Sequence, residues 1–466
     1  MNSQARGPHR DRRPASAGRP GSPSSATAAP PAHCAQSFAE FGLPEALLVA
    51  LNHQGVTVPF PIQAATLPDS LAGRDILGQG RTGSGKTLAF GLALLARTAG
   101  PPAEPGAPRA LILLPTRELA QQTAHALAPY ARALRLRTTT VVGGMSIHRQ
   151  AVALRGGAEV VIATPGRLTD LVKRGDCRLD QVRTTVLDEA DQMADTGFLP
   201  QVTALLRQLP ATGQRLLFSA TLDRNVDTLV RRFLTAPVVH SVDPPVGVVA
   251  TMEHHVLHVA SIDKHDAVTR IAARDNRVLM FMDTKHAVNR LVRGLLSVGV
   301  RASALHGGKS QPQRDRTLEQ FRTGQVTVLV ATNVAARGIH IDNLDLVVNI
   351  DPPADHKDYL HRSGRTARAG ASGRVVTLVL PDQRRDVTRL MASARITPRT
   401  TRVHSGDAEF SRITGAQDPS GVPVPVAAAA PPPSTFPGSR SQRRALHHRT
   451  TAATHNRRPV HRGRTP

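Results

Sequence analysis

Between residues 37 and 404 the chain alternates short, continuous apolar runs with longer stretches whose apolar positions recur at helical spacing. The runs fall at residues 110–115, 160–164, 185–187, 215–219, 278–282, 326–331, 346–350 and 375–380. A strand with one wet face alternates apolar and polar residues. A continuous apolar run is buried on both faces, which is the habit of a parallel sheet covered by helices on each side. The pattern therefore predicts an α/β fold. Around residues 241–247 (Ser-Val-Asp-Pro-Pro-Val-Gly) two prolines and a glycine interrupt it, as expected of a linker. This divides the folded part into 37–241 and 248–404, joined by 242–247. No short repeat period is visible, so two copies of one architecture remain open.

Outside these limits the pattern stops. Residues 1–36 and 405–466 are rich in Pro, Gly, Ala, Ser and Arg, without hydrophobic period, and are expected to be disordered tails. The second tail carries Arg440, Arg443, Arg444, Arg449, Arg457, Arg458, Arg462 and Arg464, and no acidic residue follows Asp418. The net charge of +24 and pI near 11.5 favour polyanionic partners, nucleic acid first. Only two cysteines occur, Cys34 and Cys177, far apart and without neighbours at ligand spacing. That argues against a disulfide framework or zinc site and fits a reducing compartment. No apolar stretch reaches the length of a membrane span, and the basic N-terminus lacks an apolar core after it. The expectation is a cytoplasmic protein with no membrane partner.

Two constellations carry chemistry. Gly80-Arg-Thr-Gly-Ser-Gly85-Lys86-Thr87 fits G-x-x-x-x-G-K-[ST] between a short apolar stretch and a helical one. In that setting Gly83, Ser84 and Gly85 let backbone N–H groups turn inward on phosphates at a helix N-terminus. Lys86 then reaches the β- and γ-phosphates, and the Thr87 hydroxyl holds Mg²⁺. Val186-Leu-Asp188-Glu189-Ala190-Asp191 describes a buried strand ending in acids. Asp188 suits coordination of Mg²⁺, and Glu189 suits positioning and deprotonating an attacking water. Taken singly, the first could be a plain Gly-rich turn and the second a helix-capping acid cluster.

Asp188-Glu189-Ala190-Asp191 is also the signature of the DEAD-box ATP-dependent RNA helicases, and the chain resembles that family over residues 37–404. The resemblance implies two tandem RecA-like domains that close on ATP and RNA. Phe38 and Gly55-Val-Thr-Val-Pro-Phe-Pro-Ile-Gln63 look like the adenine-reading segment, with Gln63 matching the base edge. Thr116-Arg117 (in Pro115-Thr-Arg-Glu-Leu-Ala120), Gly143-Gly144 and Thr164-Pro165-Gly-Arg167 resemble the RNA-contacting motifs of the first domain. Ser219-Ala-Thr221 resembles the segment coupling ATP state to RNA binding, which implies that its hydroxyls hydrogen-bond the acidic cluster. In the second half, Arg314 (in Ser310-Gln-Pro-Gln-Arg314), Thr332 and Gly338 (in 331–339) resemble RNA-contacting positions. His361-Arg362-Ser-Gly-Arg365-Thr-Ala-Arg368 is the most informative match. By the resemblance, Arg365 and Arg368 are arginine fingers, and His361 and Arg362 connect to Asp191 and Asp188.

The chain departs from that pattern at four places. Val56 stands where an aromatic is usual, Phe60 where a hydroxyl is usual, and Asn333 and His340 where Asp is usual. Retuned coupling is expected, with activity retained. With no Trp and two Tyr, little base stacking is available, so single-stranded and duplex RNA should be read through the backbone, by a monomer. Three rival readings remain: an RNA chaperone or annealing clamp acting through the tails, a DNA-directed helicase, and a transporter or small-GTPase-like phosphate-loop protein. The last is disfavoured by the arginine motif in a second domain.

Overall fold

The computed structural model describes residues 37–80, 83–242, 252–336, 344–366 and 372–425. Among them the first sheet comprises β1 (Ile76–Gln79), β2 (Ala110–Leu113), β3 (Thr138–Val141), β4 (Val160–Ala163), β5 (Thr184–Leu187), β6 (Gln214–Ser219) and β7 (Val238–Ser241). The second comprises β8 (Met252–His258), β9 (Val278–Phe281), β10 (Ala302–Leu305), β11 (Val328–Ala331), β12 (Leu346–Asn349), β13 (Gly373–Val379) and β14 (Arg399–Arg402). The orders are β3-β4-β2-β5-β6-β1-β7 and β10-β11-β9-β12-β13-β8-β14. The second is the first displaced by seven strands, and every pairing is parallel. The two halves are thus one architecture used twice.

The apolar runs are explained by burial on both faces. In β2, Ala110 and Ile112 enter one core cluster while Leu111 and Leu113 enter another. In β9, Val278 and Met280 face one core and Leu279 and Phe281 the opposite one. Because all strands of a sheet run the same way, the loops that follow them gather along a single sheet edge, where open α/β sheets bind ligands.

The C-terminal boundary at 404 moves outward. The helix Ala408–Thr414 places Phe410 and Ile413 in the second domain's core. The segment after it returns to the domain through Gly421 N–H to Val298 O at 3.0 Å and Val424 N–H to Leu296 O at 2.9 Å. Two apolar anchors three residues apart in a polar stretch give little periodic signal, although they share one face of a helix. Residues 1–36, 426–466 and, apart from Val242, the expected linker lie outside the described residues. No described helix is long and apolar enough to cross a membrane.

Candidate nucleotide and RNA site

The phosphate loop follows β1, and its geometry depends on glycine. Gly83 and Gly85 have φ of 92° and 91°, a region that costs an L side chain about 1–2 kcal/mol. Gly85 caps the helix Lys86–Thr98. A Cβ there would lie 2.7 Å from both Gln63 Nε2 and Phe60 Cδ2. Gln63 is buried, with Nε2 donating to Gly85 O at 3.0 Å and Oε1 accepting from Phe60 N at 2.8 Å. The amide expected to meet adenine is therefore engaged with the loop itself. Phe38, the other expected adenine contact, is 3% exposed and packs edge-on against Phe41 in the core. Its ring belongs to the first domain's core cluster. We expect Gly85→Ala to weaken binding of a fluorescent ATP analogue by at least about tenfold, since it adds backbone strain and a clash to the same loop; titration checks this.

β5 delivers the acids beside that loop. Lys86 Nζ donates to Gly80 O at 2.9 Å and pairs with Glu189 Oε1 at 3.1 Å, both side chains being buried. Burial works against the ammonium, but Glu189, Asp188 and Asp191 outweigh it and hold Lys86 charged above its ordinary range. Asp188 is pushed the other way. Burial, with Glu189 and Asp191 adding to it, raises its carboxyl despite Lys86 and the bond from Glu189 N at 3.0 Å. Glu189 itself has φ of 53°, a left-handed conformation of the kind stored at functional sites. Ser84 Oγ, inside the loop, is buried without a hydrogen-bond partner.

β6 lies between the strands carrying the loop and the acids. Asp191 Oδ2 accepts from Thr221 N at 2.9 Å and Thr221 Oγ1 at 2.8 Å, while Asp191 N donates to Ser219 Oγ at 3.3 Å. Burial disfavours its charge, yet His361 and Thr221 prevail and hold Asp191 far below the usual carboxylate range. The expected link between Ser219-Ala-Thr221 and the acids is present in these bonds. The His361 link is looser: its Nε2 stands 3.9 Å from Asp191 Oδ2, an ion-pair distance and not a hydrogen bond. Carboxylates of Glu189 and Asp191 and the His361 imidazole all gather within 4.8 Å.

The remaining first-domain motifs follow β2, β3 and β4, adjacent strands at the same edge. Thr116 caps the helix Arg117–Ala133 by accepting from Leu119 N at 3.3 Å. Thr164 and Pro165 open the helix Pro165–Lys173. Arg117 donates to Gly143 O at 3.1 Å, and a Cβ on Gly144 would overlap the Arg117 guanidinium at 1.7 Å. Arg167 donates to Met145 O at 2.8 Å. Thr332, at the end of β11, occupies in the second sheet the place of Thr164 in the first.

Three expectations for the second domain change. Arg314 pairs with Glu118 of the first domain at 2.9 Å, both side chains nearly buried, and donates to Ala335 O at 3.1 Å. Gln311 also reaches Glu118, at 3.2 Å. Arg314 is thus a pin between domains and not an open RNA contact, because a guanidinium aligned with a buried carboxylate is held there. Glu118 had drawn no assignment, being one acid in a motif valued for its neighbours. Arg362, expected on Asp188, instead donates to Asn333 Oδ1 at 2.6 Å, Asn349 Oδ1 at 3.1 Å and Asp351 O at 2.8 Å, and lies over the Phe281 ring. These acceptors of its own domain suit a planar fork of donors. Asn333 explains its own presence, since its Nδ2 donates to Asp358 while its carbonyl accepts from Arg362. An Asp there could not donate to Asp358. Arg365 is 5% exposed just beyond the helix His356–Ser363. Gly338, His340 and Arg368 lie outside the described residues.

A cavity of about 800 Å³ has walls from both domains. Gly83, Gly85, Lys86, Thr87, Asp188 and Glu189 line one side, and Asp315, Leu318, Glu319 and Arg322 another. Neither half encloses it alone.

Comparison with known proteins agrees with this geometry. The DEAD/DEAH box helicase model matches residues 60–229, and the helicase conserved C-terminal domain model matches residues 263–370. The ATP-dependent RNA helicase RhlB of Pseudomonas putida is 42% identical over 345 residues, 72% of this chain and 87% of that protein. The DEAD-box ATP-dependent RNA helicase CshA of Geobacillus kaustophilus is 38% identical over 365 residues, 78% of this chain and 77% of its own length. Among solved structures, S. cerevisiae Dbp5 bound to RNA and ADP BeF3 superposes with a TM-score of 0.73 at 32% identity, covering 82% of this chain and 99% of that one. A phosphate loop and acids on one RecA-like domain, a histidine–arginine helix facing them from a second, and these relatives lead to one conclusion: the chain belongs to the DEAD-box family of ATP-dependent RNA helicases.

Proposed function

We propose that this protein couples ATP hydrolysis to closure of its two domains over a single RNA strand, remodelling RNA locally without reading its sequence. The observation that carries the reading is the cavity walled by the phosphate loop and acids on one side and by the second domain on the other. Lys86 and the inward N–H groups of the loop bind the phosphates. Ser84 Oγ, buried and unpartnered, is a hydroxyl suited to a phosphate oxygen. Glu189 orients and deprotonates the attacking water once its partner Lys86 turns to the phosphates. Arg365 and Arg368 stabilise charge on the transferring phosphoryl group when the domains meet.

The donor set also fits Mg²⁺. A buried carboxyl whose charge is unfavourable without a cation, Asp188, lies with the Thr87 hydroxyl beside the phosphate cavity. Bound there with the nucleotide, the ion would neutralise charge on the β- and γ-oxygens.

RNA binds through Thr116, Arg117, Gly143, Gly144, Thr164, Pro165, Arg167, Thr332 and Gly338, largely by backbone phosphates, and the basic tails add a sequence-blind tether. The protein works as a monomer in the cytoplasm. The test compares steady-state ATP turnover with single-stranded RNA, with DNA of the same sequence, and with neither. Stimulation by RNA well above DNA is expected, since 2′-hydroxyls distinguish the two. Equal stimulation would point to a DNA-directed enzyme, and stimulation lost on removing residues 1–36 and 426–466 would point to a tail-driven annealer.

A further inference from the structure

The helix His356–Ser363 brings His361 to the nucleotide site at its C-terminal end. At its first turn it makes a separate contact across the cleft. Lys357 Nζ donates to Asp195 Oδ1 at 3.3 Å and also to Asp223 Oδ2. The lysine side chain is 17% exposed and the two acids 24% and 19%. A pair this shielded is screened less than one at an open surface.

The two acids sit on elements that leave the nucleotide site. Asp195 ends the helix Ala190–Asp195, which begins within Asp-Glu-Ala-Asp itself. Asp223 caps the helix Arg224–Phe233, its Oδ1 accepting from Asn225 N at 2.9 Å and Val226 N at 2.8 Å. That leaves Oδ2 for the lysine. Two residues before it, Thr221 holds Asp191. One cation thus bridges the two segments that fix the acids, and it does so one helical turn, about 6 Å, from His361.

We propose that Lys357 is a positioning residue that latches the closed state, fixing the start of the helix whose other end carries the groups facing the phosphates. The contact joins different domains, so it exists only when they meet and stabilises that arrangement alone. By linkage it strengthens the mutual dependence of ATP and RNA binding. Burial disfavours the ammonium, but Asp223 and Asp195 outweigh it, so the latch stays charged at neutral pH. Without the lysine, Asp195 and Asp223 would be left facing each other's charge at the cleft.

The inference rests on the closure mechanism proposed above, and full-length wild-type protein separates the two. Absence of RNA-stimulated ATPase in the wild type overturns that mechanism. With stimulation intact, the latch is tested by Lys357→Met, Lys357→Arg and Asp195→Asn. Lys357→Met should raise the RNA concentration for half-maximal ATPase about tenfold, the scale of one partly buried ion pair. Turnover at saturating RNA should change less than about twofold, because saturating RNA drives closure to completion, and RNA-free binding of an ATP analogue should stay at the wild-type value, because without RNA the domains are apart. Lys357→Arg should restore most of the RNA dependence. Asp195→Asn should shift it in the same direction, and adding it to Lys357→Met should cost little more, as expected of residues acting together. An unchanged RNA requirement in Lys357→Met, equal defects in the Met and Arg variants, or fully additive Met and Asn effects would each overturn the latch.

Discussion

Lys86→Ala loses ATP turnover by about 10³-fold or more, because Lys86 is the group proposed above to bind the β- and γ-phosphates. The structure adds a second consequence. Lys86 is the buried partner of Glu189 at 3.1 Å, and removing one member of a buried pair costs about 3–5 kcal/mol of stability. The variant should therefore also unfold at lower temperature, and turnover must be referred to folded protein. Thermal melts alongside initial-rate ATPase measure both effects. Wild-type turnover in the folded variant would remove Lys86 from the site.

Arg365→Ala behaves differently. Arg365 belongs to the second domain, whereas the phosphate loop and acids belong to the first. RNA-free affinity for an ATP analogue should stay near wild type, while RNA-stimulated turnover falls by about 10³-fold, the usual effect of removing an arginine finger. Equilibrium nucleotide binding and kcat at saturating RNA separate the two quantities. Loss of affinity with unchanged kcat would assign Arg365 to ground-state binding, and unchanged values in both would contradict its role in the closed state.

The fold was legible where strands are buried on both faces. β2, β4, β5, β6, β9, β11, β12 and β13 coincide with the apolar runs read from the sequence. β3 (Thr-Thr-Thr-Val) and β14 (Arg-Thr-Thr-Arg) escaped because each lies at a sheet edge and is partly exposed, where polar residues are tolerated. β8 is internal but carries His254, His255 and His258, which break an apolar run even though His255 is 3% exposed.

Within the site, the phosphate loop and the acids after β5 were read from local spacing and the hydroxyls after β6 through the resemblance, and the structure brings these three groups together. Of the pairings across the cleft, only His361 with Asp191 was expected, and through the resemblance alone. Glu118 with Arg314 and Lys357 with Asp195 and Asp223 join residues more than one hundred positions apart in the sequence, and no local pattern encodes such contacts. Asp223 offered one usable sign, an acid immediately before an amphipathic helix, which reads as an N-cap. Gln63 shows the opposite limit, since its amide fitted a base edge while in the structure it bonds Phe60 N and Gly85 O.

Reciprocal coupling between the two ligands is the most direct measure of a pocket completed from both domains. The affinity of full-length protein for a non-hydrolysable ATP analogue should be titrated with and without saturating single-stranded RNA, and its RNA affinity with and without saturating analogue. If closure joins the sites, each ligand strengthens the other by the same factor, about tenfold or more. Affinities that are independent of one another, together with ATP turnover indifferent to RNA, would contradict it.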